Sequence, residues 1–391
     1  MKYAERMGRL GTETAFEVLA KAKKLEAEGR RIVHLEIGQP DFPTPVHVVD
    51  AAVKALRDGH TGYTAAPGII EVREAIAEHT KAMIGIDVHP DEVVVTPGAK
   101  PIMFYAFLAF VEAGDEVVYP NPGFPIYESM LDFIGAKRVP LPLTAENGFR
   151  VDVARLERLL TPKTRLLILN TPGNPTGGVV PPEDLPAIAA ICRRFPDLIV
   201  LSDEIYSRIL FGGRHASLAA EPGMREKTII LNGFSKTYAM TGWRLGYGIM
   251  PKECAVKFSR LMVNSNSCTA NFVQHAGIAA LRGPQAPVDA MVTEFRRRRD
   301  FIVDGLNSIP GFEAARPDGA FYVFPGTSKT GIASNELANR LLYDAGVACL
   351  SGTCFGAMGE GHLRFSFANS VENIREAIEK IRGVLAGTPT R

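Results

Sequence analysis

Short runs of β-branched and other apolar residues alternate with helical patterns along most of this chain. Apolar runs typical of buried parallel strands cover residues 92–96, 116–119, 166–170, 198–202 and 228–231. Helical patterns separate most of these runs, at residues 99–112, 125–134, 153–160 and 183–194. Such an alternation favours a parallel sheet covered by helices. The sequence therefore predicts an α/β fold with a mostly parallel, doubly wound sheet.

The two ends of the chain have a different pattern. Before the alternating region, helices are predicted at residues 14–28, 46–58 and 69–84, and a strand at 32–37. After residue 251, helical patterns dominate as far as residue 307. Short strands at 321–324, 347–350 and 362–367 follow, with helices at 335–345 and 371–385. These later segments indicate a second, smaller α+β domain.

Charge and composition exclude several classes of protein. The chain has 44 Lys plus Arg against 43 Asp plus Glu, which lacks the basic excess of a nucleic-acid-binding protein. Its five cysteines, an odd number, favour free thiols in a reducing compartment. No secretory signal is visible at the start, and no apolar stretch is long enough for a bilayer. We therefore expect a cytoplasmic protein without nucleic-acid or membrane partners.

Polar residues follow the predicted strands at four points. These strand ends are at residues 96–100 (TPGAK), 170–177 (NTPGNPTG), 201–206 (LSDEIY) and 231–236 (LNGFSK). In open α/β sheets, ligands bind beyond the carboxyl ends of the strands, so these residues are the candidates for a site. The sequence has no dinucleotide fingerprint, P-loop, nucleophile elbow or zinc-ligand pattern. Cys349 and Cys354 are interpreted as packed small residues without a metal.

The remaining residue types match the needs of pyridoxal phosphate chemistry. The aldehyde of this cofactor needs a lysine amine, and its pyridine nitrogen needs a carboxylate that keeps it protonated. Its phosphate needs backbone N–H groups at the start of a helix and a fixed cation. A lysine, an aspartate, a tyrosine, an asparagine and an arginine all lie at or near the predicted strand ends, together with a helix N-terminus.

Six motifs in a fixed order add a family resemblance over nearly the whole chain. They occupy residues 37–42 (IGQPDF), 63–64 (YT), 174–177 (NPTG), 203–206 (DEIY), 235–244 (SKTYAMTGWR) and 363–368 (LRFSFA). With them the chain resembles the class I aminotransferases, which are fold-type I pyridoxal phosphate enzymes typified by aspartate aminotransferase. The resemblance implies a small domain formed from both chain termini. We predict boundaries at 1–45 and 286–391 for the small domain and 46–285 for the large one.

The resemblance assigns roles at the cofactor ring. Lys236 is implied to form the Schiff base with the cofactor and then to carry the proton between the substrate α-carbon and the cofactor. Asp203 is assigned to the pyridine nitrogen, and Tyr206 and Asn174 to the phenolic oxygen. Phe124 is assigned to stacking on the ring face, where relatives often have Trp or Tyr. A turn or a core contact is the structural alternative for Asn174 and Phe124.

The resemblance also implies a phosphate site and a subunit arrangement. The phosphate-binding residues are predicted to be Gly98, Ala99, Lys100, Ser235 and Arg244. The Lys100 side chain could equally be a surface charge. Gly233 departs from the family pattern, because many relatives carry a phosphate-binding hydroxyl there. Tyr63 is assigned to the phosphate of the neighbouring subunit, which implies a homodimer with shared active sites.

Substrate recognition is implied at the other side of the site. Arg364 is assigned to bidentate binding of the substrate α-carboxylate, with Asn174 and the backbone at Gly38 beside it. The implied reaction moves an amino group between an L-amino acid and a 2-oxo acid in a ping-pong cycle of pyridoxal and pyridoxamine phosphate. Exchange between aspartate or alanine and 2-oxoglutarate is expected, with aromatic donors as an alternative.

Two other functions remain to be distinguished. A carbon–sulfur lyase of the same fold and cofactor would release pyruvate and ammonia without an acceptor. A transcription regulator with an aminotransferase-like domain would add an N-terminal DNA-binding domain, and we expect none because so few residues precede Gly38. The arginine-rich run at residues 296–299 is interpreted as a solvated helix face paired with Glu294 and Asp300.

Overall fold

The computed structural model describes residues 1–387. Within that range the strands are β1 (Val33–His34), β2 (Val93–Thr96), β3 (Glu116–Asn121), β4 (Lys137–Pro142), β5 (Thr164–Asn170), β6 (Ile199–Asp203), β7 (Thr228–Gly233), β8 (Gly246–Ile249), β9 (Tyr322–Val323), β10 (Val347–Ala348), β11 (Leu350–Ser351) and β12 (Leu363–Ser366). All five predicted strands of the alternating region are present, and most extend one or two residues beyond their predicted ends.

The α-helices of the described range follow the predicted pattern. They are α1 (Thr14–Ala27), α2 (Val46–Arg57), α3 (Ile70–Ile84), α4 (Lys100–Phe110), α5 (Ile126–Ile134), α6 (Val153–Leu159), α7 (Leu185–Arg193), α8 (Phe234–Thr237), α9 (Lys252–Ser265), α10 (Asn271–Arg282), α11 (Ala286–Asn307), α12 (Ser334–Tyr343) and α13 (Val371–Leu385). Gly85 ends α3 with a left-handed φ of 80°, a conformation that glycine adopts without steric cost. Hence helix type and approximate position were predictable from apolar periodicity and end signals.

A seven-stranded mixed sheet forms the centre of the described chain. Its strand order is β2-β8-β7-β6-β5-β3-β4, and the strands from β7 to β4 are parallel, whereas β8 is antiparallel to both neighbours. The fold prediction is therefore confirmed. The sequence analysis missed β8, which has two glycines, and β4, which is partly exposed and has two prolines. Glycine and proline both weaken the sequence signal of a strand.

The later part of the chain forms small sheets with the N-terminal segment. β1 pairs with β10 in parallel, and β12 lies between β11 and β9 in an antiparallel sheet. The predicted strand at 32–37 is only two residues long, because the chain leaves β10 after His34. Strands from both ends of the chain thus meet, while the domain boundaries stay a prediction. Residues 388–391 of the predicted last segment lie outside the described residues.

The arginine-rich part of α11 is neutralised by acidic residues. Arg297 and Arg298 both contact Glu294 at 2.8 Å, and Arg299 contacts Asp300 at 2.7 Å. Arg298 also binds Asp41 of the IGQPDF motif at 2.7 Å. These ion pairs agree with the predicted pairing, but Arg298 is buried, so the interpretation of a solvated face is wrong at this position. Across residues 1–387, every helix is too short or too polar to cross a bilayer.

Candidate active site

A cavity of about 640 Å³ opens at the carboxyl ends of β5, β6 and β7. The predicted site residues that line it are Gly38, Ala99, Lys100, Phe124, Asn174, Asp203, Tyr206, Ser235, Lys236, Arg244 and Arg364. Gly98 lies directly behind Arg244, whereas Tyr63 does not line this cavity and is 91% exposed. The fold thus brings residues from distant parts of the chain around one space, at the edge where parallel strands expose their carboxyl ends.

Lys236 lies on the single helical turn α8, directly after β7. Its Nζ donates a hydrogen bond to the backbone oxygen of Gly38, and it faces the rings of Tyr206 and Phe321 at 5.9 and 5.8 Å. Burial, followed by the positive charge of Arg364, lowers the pKa of Lys236 to about 8. An amine with such a pKa is neutral in about one molecule in ten at pH 7 and in about half of the molecules at pH 8, and a neutral amine can act as a nucleophile or a base.

Asp203 is the last residue of β6, and its carboxylate is buried. The Tyr127 hydroxyl donates to Oδ2 at 2.8 Å, and the Ile205 N–H donates to Oδ1 at 3.3 Å. Burial raises the pKa of Asp203 to about 6, although these two hydrogen bonds act in the opposite direction. A buried carboxylate without a salt-bridge partner favours a cationic ligand opposite it.

Arg364 extends from β12 between two aromatic rings. Its guanidinium lies 4.5 Å from the ring of Tyr322 and 4.9 Å from that of Phe355. Nη1 donates to Oδ1 of Asn174 at 3.0 Å, and Nη2 donates to the backbone oxygen of Glu36. Its Nε is buried with no hydrogen-bond partner among the described residues. A fixed, planar cation with an unused donor fits a carboxylate ligand.

Tyr206 and Tyr322 are joined through their hydroxyl groups at 2.8 Å beside Arg364. Burial raises the pKa of Tyr206 well above its ordinary value, so its hydroxyl stays protonated. The space for Tyr322 depends on Gly38, since a Cβ at residue 38 would lie 2.0 Å from the Tyr322 hydroxyl oxygen. This close approach explains why glycine occupies position 38.

An anion-binding corner is formed where β2 leads into α4. The first turn of α4 has no side-chain cap. Pro101 has no N–H and the Ile102 N–H donates to the Ala99 oxygen, so the N–H groups of Ala99 and Lys100 are the ones left for an anion. Arg244 lies against Gly98, where a Cβ would be 2.0 Å from Nη2, and Gly98 has a left-handed φ of 83°. Ser235 and Thr241 also line the cavity. Two hydroxyl-bearing residues, a helix N-terminus and an arginine thus occur together.

Gly233, which departs from the family pattern, is crowded by β8. It pairs with Gly246, and a Cβ on Gly233 would lie 3.0 Å from Gly246 Cα and 3.2 Å from the Leu245 oxygen. A larger side chain therefore requires the two strands to separate slightly. The close strand pairing gives a physical reason for glycine at this position.

The Lys100 side chain turns toward the cavity. Its Nζ forms an ion pair with Glu13 and lies 5.5 Å from the ring centre of Phe124. Phe124 in turn packs edge-on against Tyr127, with ring centres 5.7 Å apart. The side chain is 51% exposed, so Lys100 is a paired charge at the mouth of the cavity, and its role at the phosphate stays a prediction.

A family model described as aminotransferase class I and II matches residues 30–381 of this chain. The chain belongs to this aminotransferase family. It is 39% identical over 381 residues to an aspartate aminotransferase of Musicola paradisiaca, covering 97% of this chain and 95% of that protein. It is also 40% identical over 358 residues to aromatic-amino-acid aminotransferase 2 of Thermococcus litoralis, with coverage of 90% and 92%.

A solved structure shows the same fold at similar identity. The aspartate aminotransferase of Thermus thermophilus with maleate is 38% identical, has a TM-score of 0.94 and covers 98% of this chain and 100% of that one. The similarity over whole chains confirms the fold-type I prediction and the aminotransferase activity. It does not favour the carbon–sulfur lyase that the sequence analysis left as an alternative.

Several residues of this aminotransferase site escaped the sequence analysis. They are Glu13, Tyr127, Thr241, Tyr322 and Phe355. Tyr127 is the second residue of α5, and Phe124 lies just before that helix. Their rings contact edge-on with centres 5.7 Å apart, so the separation of three residues is the signal that could have found Tyr127. Tyr322 and Phe355 carried no comparable signal, because an aromatic residue in a short strand or turn is usually a core residue.

Proposed function

We propose that this protein is a pyridoxal 5'-phosphate-dependent aminotransferase that exchanges an amino group between aspartate or alanine and 2-oxoglutarate. We place it in the cytoplasm as a homodimer with shared active sites. The observation that carries this proposal is the buried amine of Lys236 in one cavity with the carboxylate of Asp203 and the guanidinium of Arg364. An amine, an acid and a carboxylate-binding cation are the groups that amino transfer on this cofactor needs.

The side chains present fit the proposed cofactor. Asp203 would hold the protonated pyridine nitrogen, since its buried carboxylate has neutral hydrogen-bond donors but no salt-bridge partner among residues 1–387. Tyr206 and Asn174 would hold the phenolic oxygen, and Phe124 would cover the ring. Gly98, Ala99, Lys100, Ser235 and Arg244 would form the phosphate site. When bound, the cofactor supplies an aldehyde for amines and a ring that withdraws electrons from the α-carbon.

Lys236 is the group placed to move the substrate proton. When the cofactor is bound, the neutral Nζ would accept a proton from the substrate α-carbon and would later release it. The lowered pKa of about 8 favours this role, because the amine is neutral, and so able to accept a proton, in a larger fraction of molecules than an ordinary lysine amine. The hydrogen bond to the Gly38 oxygen orients Nζ within the cavity.

Arg364 orients the substrate for this proton transfer. Its unused Nε and its Nη groups would receive the α-carboxylate, while the rings of Tyr322 and Phe355, with centres 4.5 and 4.9 Å from Cζ, help to bury the guanidinium. Two parallel hydrogen bonds fix both position and rotation of a carboxylate. The α-hydrogen is thereby kept near Lys236, which lowers the entropic part of the barrier.

Tyr63 supports the proposed homodimer. Its side chain is 91% exposed and lies apart from the cavity of its own chain. Several apolar side chains on α2, α4 and α9 are also exposed, namely Val49, Val53, Leu56, Phe104, Leu108, Val256 and Val263. In a homodimer, apolar side chains of this kind are covered and Tyr63 reaches the phosphate site of the second subunit.

The donor prediction is tested by a screen of purified holoenzyme. Aspartate, alanine and phenylalanine are each combined with 2-oxoglutarate or pyruvate, and the amino and 2-oxo acid products are measured by chromatography. We expect the highest kcat/KM for aspartate or alanine with 2-oxoglutarate. A preference for phenylalanine would reject the donor assignment but keep the reaction, while ammonia release without an acceptor would reject aminotransfer itself.

Tyr127 is expected to tune the proposed pyridine partner. Tyr127→Phe removes the hydrogen bond to Asp203 and so raises the pKa of that carboxyl group. As pH falls, Asp203 in the variant then becomes protonated at a higher pH than in the wild type. We therefore expect kcat/KM at pH 6 to fall about tenfold, as for the loss of one hydrogen bond to a charged group. The pH profile between 5 and 9 provides the measurement.

Tyr119→Phe is the matched control for this variant. Its hydroxyl is also buried but donates to Glu128 at 2.7 Å, so its loss should leave the acid limb of the profile in place. A uniform loss of activity at all pH values in Tyr127→Phe would instead indicate a packing effect.

A further inference from the structure

A fully buried carboxylate lies next to the backbone group that holds Arg364. The Glu36 side chain has an exposed fraction of 0%, and its Oε2 has no hydrogen-bond partner among the described residues. The backbone oxygen of the same residue accepts a hydrogen bond from Nη2 of Arg364. An uncompensated charge at such a position is strongly unfavourable and acts on nearby ligands through a low dielectric.

His34 connects this carboxylate to the surface. Its Nδ1 lies 2.7 Å from Oε1 of Glu36, and its Nε2 lies 3.0 Å from Oε1 of Glu26. The side chains of His34 and Glu26 are 26% and 32% exposed. A histidine that contacts a carboxylate through each nitrogen satisfies both of them only when both nitrogens carry hydrogen, that is, as imidazolium.

We propose that His34 and Glu36 are positioning residues that keep Arg364 free to bind the substrate carboxylate. The imidazolium compensates the negative charge of Glu36, which would otherwise oppose a second carboxylate at Arg364. This inference rests on the proposed function, because it takes Arg364 as the carboxylate-binding residue. Neither side chain touches the reacting atoms, so their effect passes through the electrostatic potential at Arg364.

The backbone around the pair is held by other contacts. The Leu35 N–H donates to the Ala348 oxygen at 2.9 Å, and the Ser366 N–H donates to the Leu35 oxygen at 2.7 Å. Asn369 also donates to the His34 oxygen at 2.9 Å. The segment is therefore anchored independently of its two ionisable side chains, and their substitution tests charge more than folding.

The direction of the pH effect follows from the groups that face the pair. These are Glu26 on α1, with Lys23 bound to it, Cys349 after β10, and Arg364 on β12. The hydrogen bond with Glu36 raises the pKa of His34 above 6.5. The compensating charge is thus present at lower pH and is lost as pH rises through that raised value.

The size of the effect is set by distance. Standard bond lengths keep the Glu36 carboxylate within about 8 Å of Nη2 of Arg364. The bound carboxylate lies about 3 Å beyond Nη2, so about 11 Å separates the two negative charges. At an effective dielectric constant of about 20, one uncompensated charge at that distance weakens binding of a carboxylate about tenfold.

The test is the affinity of the holoenzyme for two non-reacting carboxylates, maleate and 3-phenylpropanoate, measured by calorimetry from pH 6 to 9. We expect the Kd of the wild type divided by that of Glu36→Gln to rise from about one to about ten over this range. In His34→Gln the Kd divided by that of Glu36→Gln should stay at about ten over the whole range, because no imidazolium then compensates Glu36. The double variant should match Glu36→Gln.

Further variants separate the possible failures. If the Kd of the wild type divided by that of Glu36→Gln stays constant with pH, the inference is overturned. A His34→Gln curve identical to that of the wild type also overturns it. If Glu36→Gln fails to fold, the Kd values of His34→Gln and of the wild type are compared directly, and this comparison tests the inference. Arg364→Gln should abolish binding of both probes, and unchanged binding in that variant would overturn the proposed function itself.

Discussion

Replacing Lys236 with alanine is expected to lower kcat/KM by about 10⁴-fold or more, the upper range for one positioned proton-transfer group. The side chain is buried in the cavity, and the structure places no other lysine of the described residues beside Gly38 and Tyr206. Neither water nor Lys100, which is held by Glu13, can replace Nζ at the α-carbon. Single-turnover measurements with the best amino donor give the rate directly.

A pH experiment tests the same residue without turnover. Since only a neutral amine attacks an aldehyde, cofactor uptake by the cofactor-free wild type should become faster as pH rises through about 8, the pKa of Lys236. Lys236→Ala should lack both this acceleration and the visible absorbance band of the loaded wild type. Lys163→Ala, at an exposed turn, is the control that removes an amine without consequence. Wild-type activity in Lys236→Ala would contradict the proposed mechanism.

The strands and helices that position this site were largely predictable. Apolar runs such as Thr228–Gly233 are buried on both faces of the sheet, and burial of this kind leaves a strong signal in the sequence. The residue types that follow those runs, above all Asp203 and Lys236, also indicated the chemistry. Family resemblance was needed for Arg364, because a strand only four residues long gives no sign of what its side chain faces.

Contacts between segments that are distant along the chain could not be predicted from the sequence alone. His34 and Glu36 are alternate residues of the strand predicted at 32–37, and this spacing also fits a pair of polar side chains that face solvent. Only the packing of this segment against β12 shows that Glu36 is buried beside Arg364. Similarly, the crowding at Gly233 depends on β8, a strand that its two glycines concealed.

Replacing Asp203 with asparagine is expected to lower kcat/KM by about 10² to 10³-fold, as for the loss of one preorganised electrostatic partner. The substitution keeps the size of the side chain and can keep the hydrogen bond from Tyr127, but it removes the negative charge. Without that charge, the pyridine nitrogen of the proposed cofactor is not held in its protonated form, and the ring withdraws electrons less strongly. Steady-state kinetics with cofactor in excess measure this loss.

Cofactor affinity separates the charge of Asp203 from its shape. Because burial raises its pKa to about 6, Asp203 gains a proton as pH falls through that value, and the wild type should then bind pyridoxal phosphate more weakly. Asp203→Asn should bind weakly throughout, with no such change near pH 6. Asp197→Asn, at an exposed site, should follow the wild-type curve. If Asp203→Asn kept the wild-type pH dependence, another group would have to hold the pyridine nitrogen, and Asp203 would be only a structural residue at the end of β6.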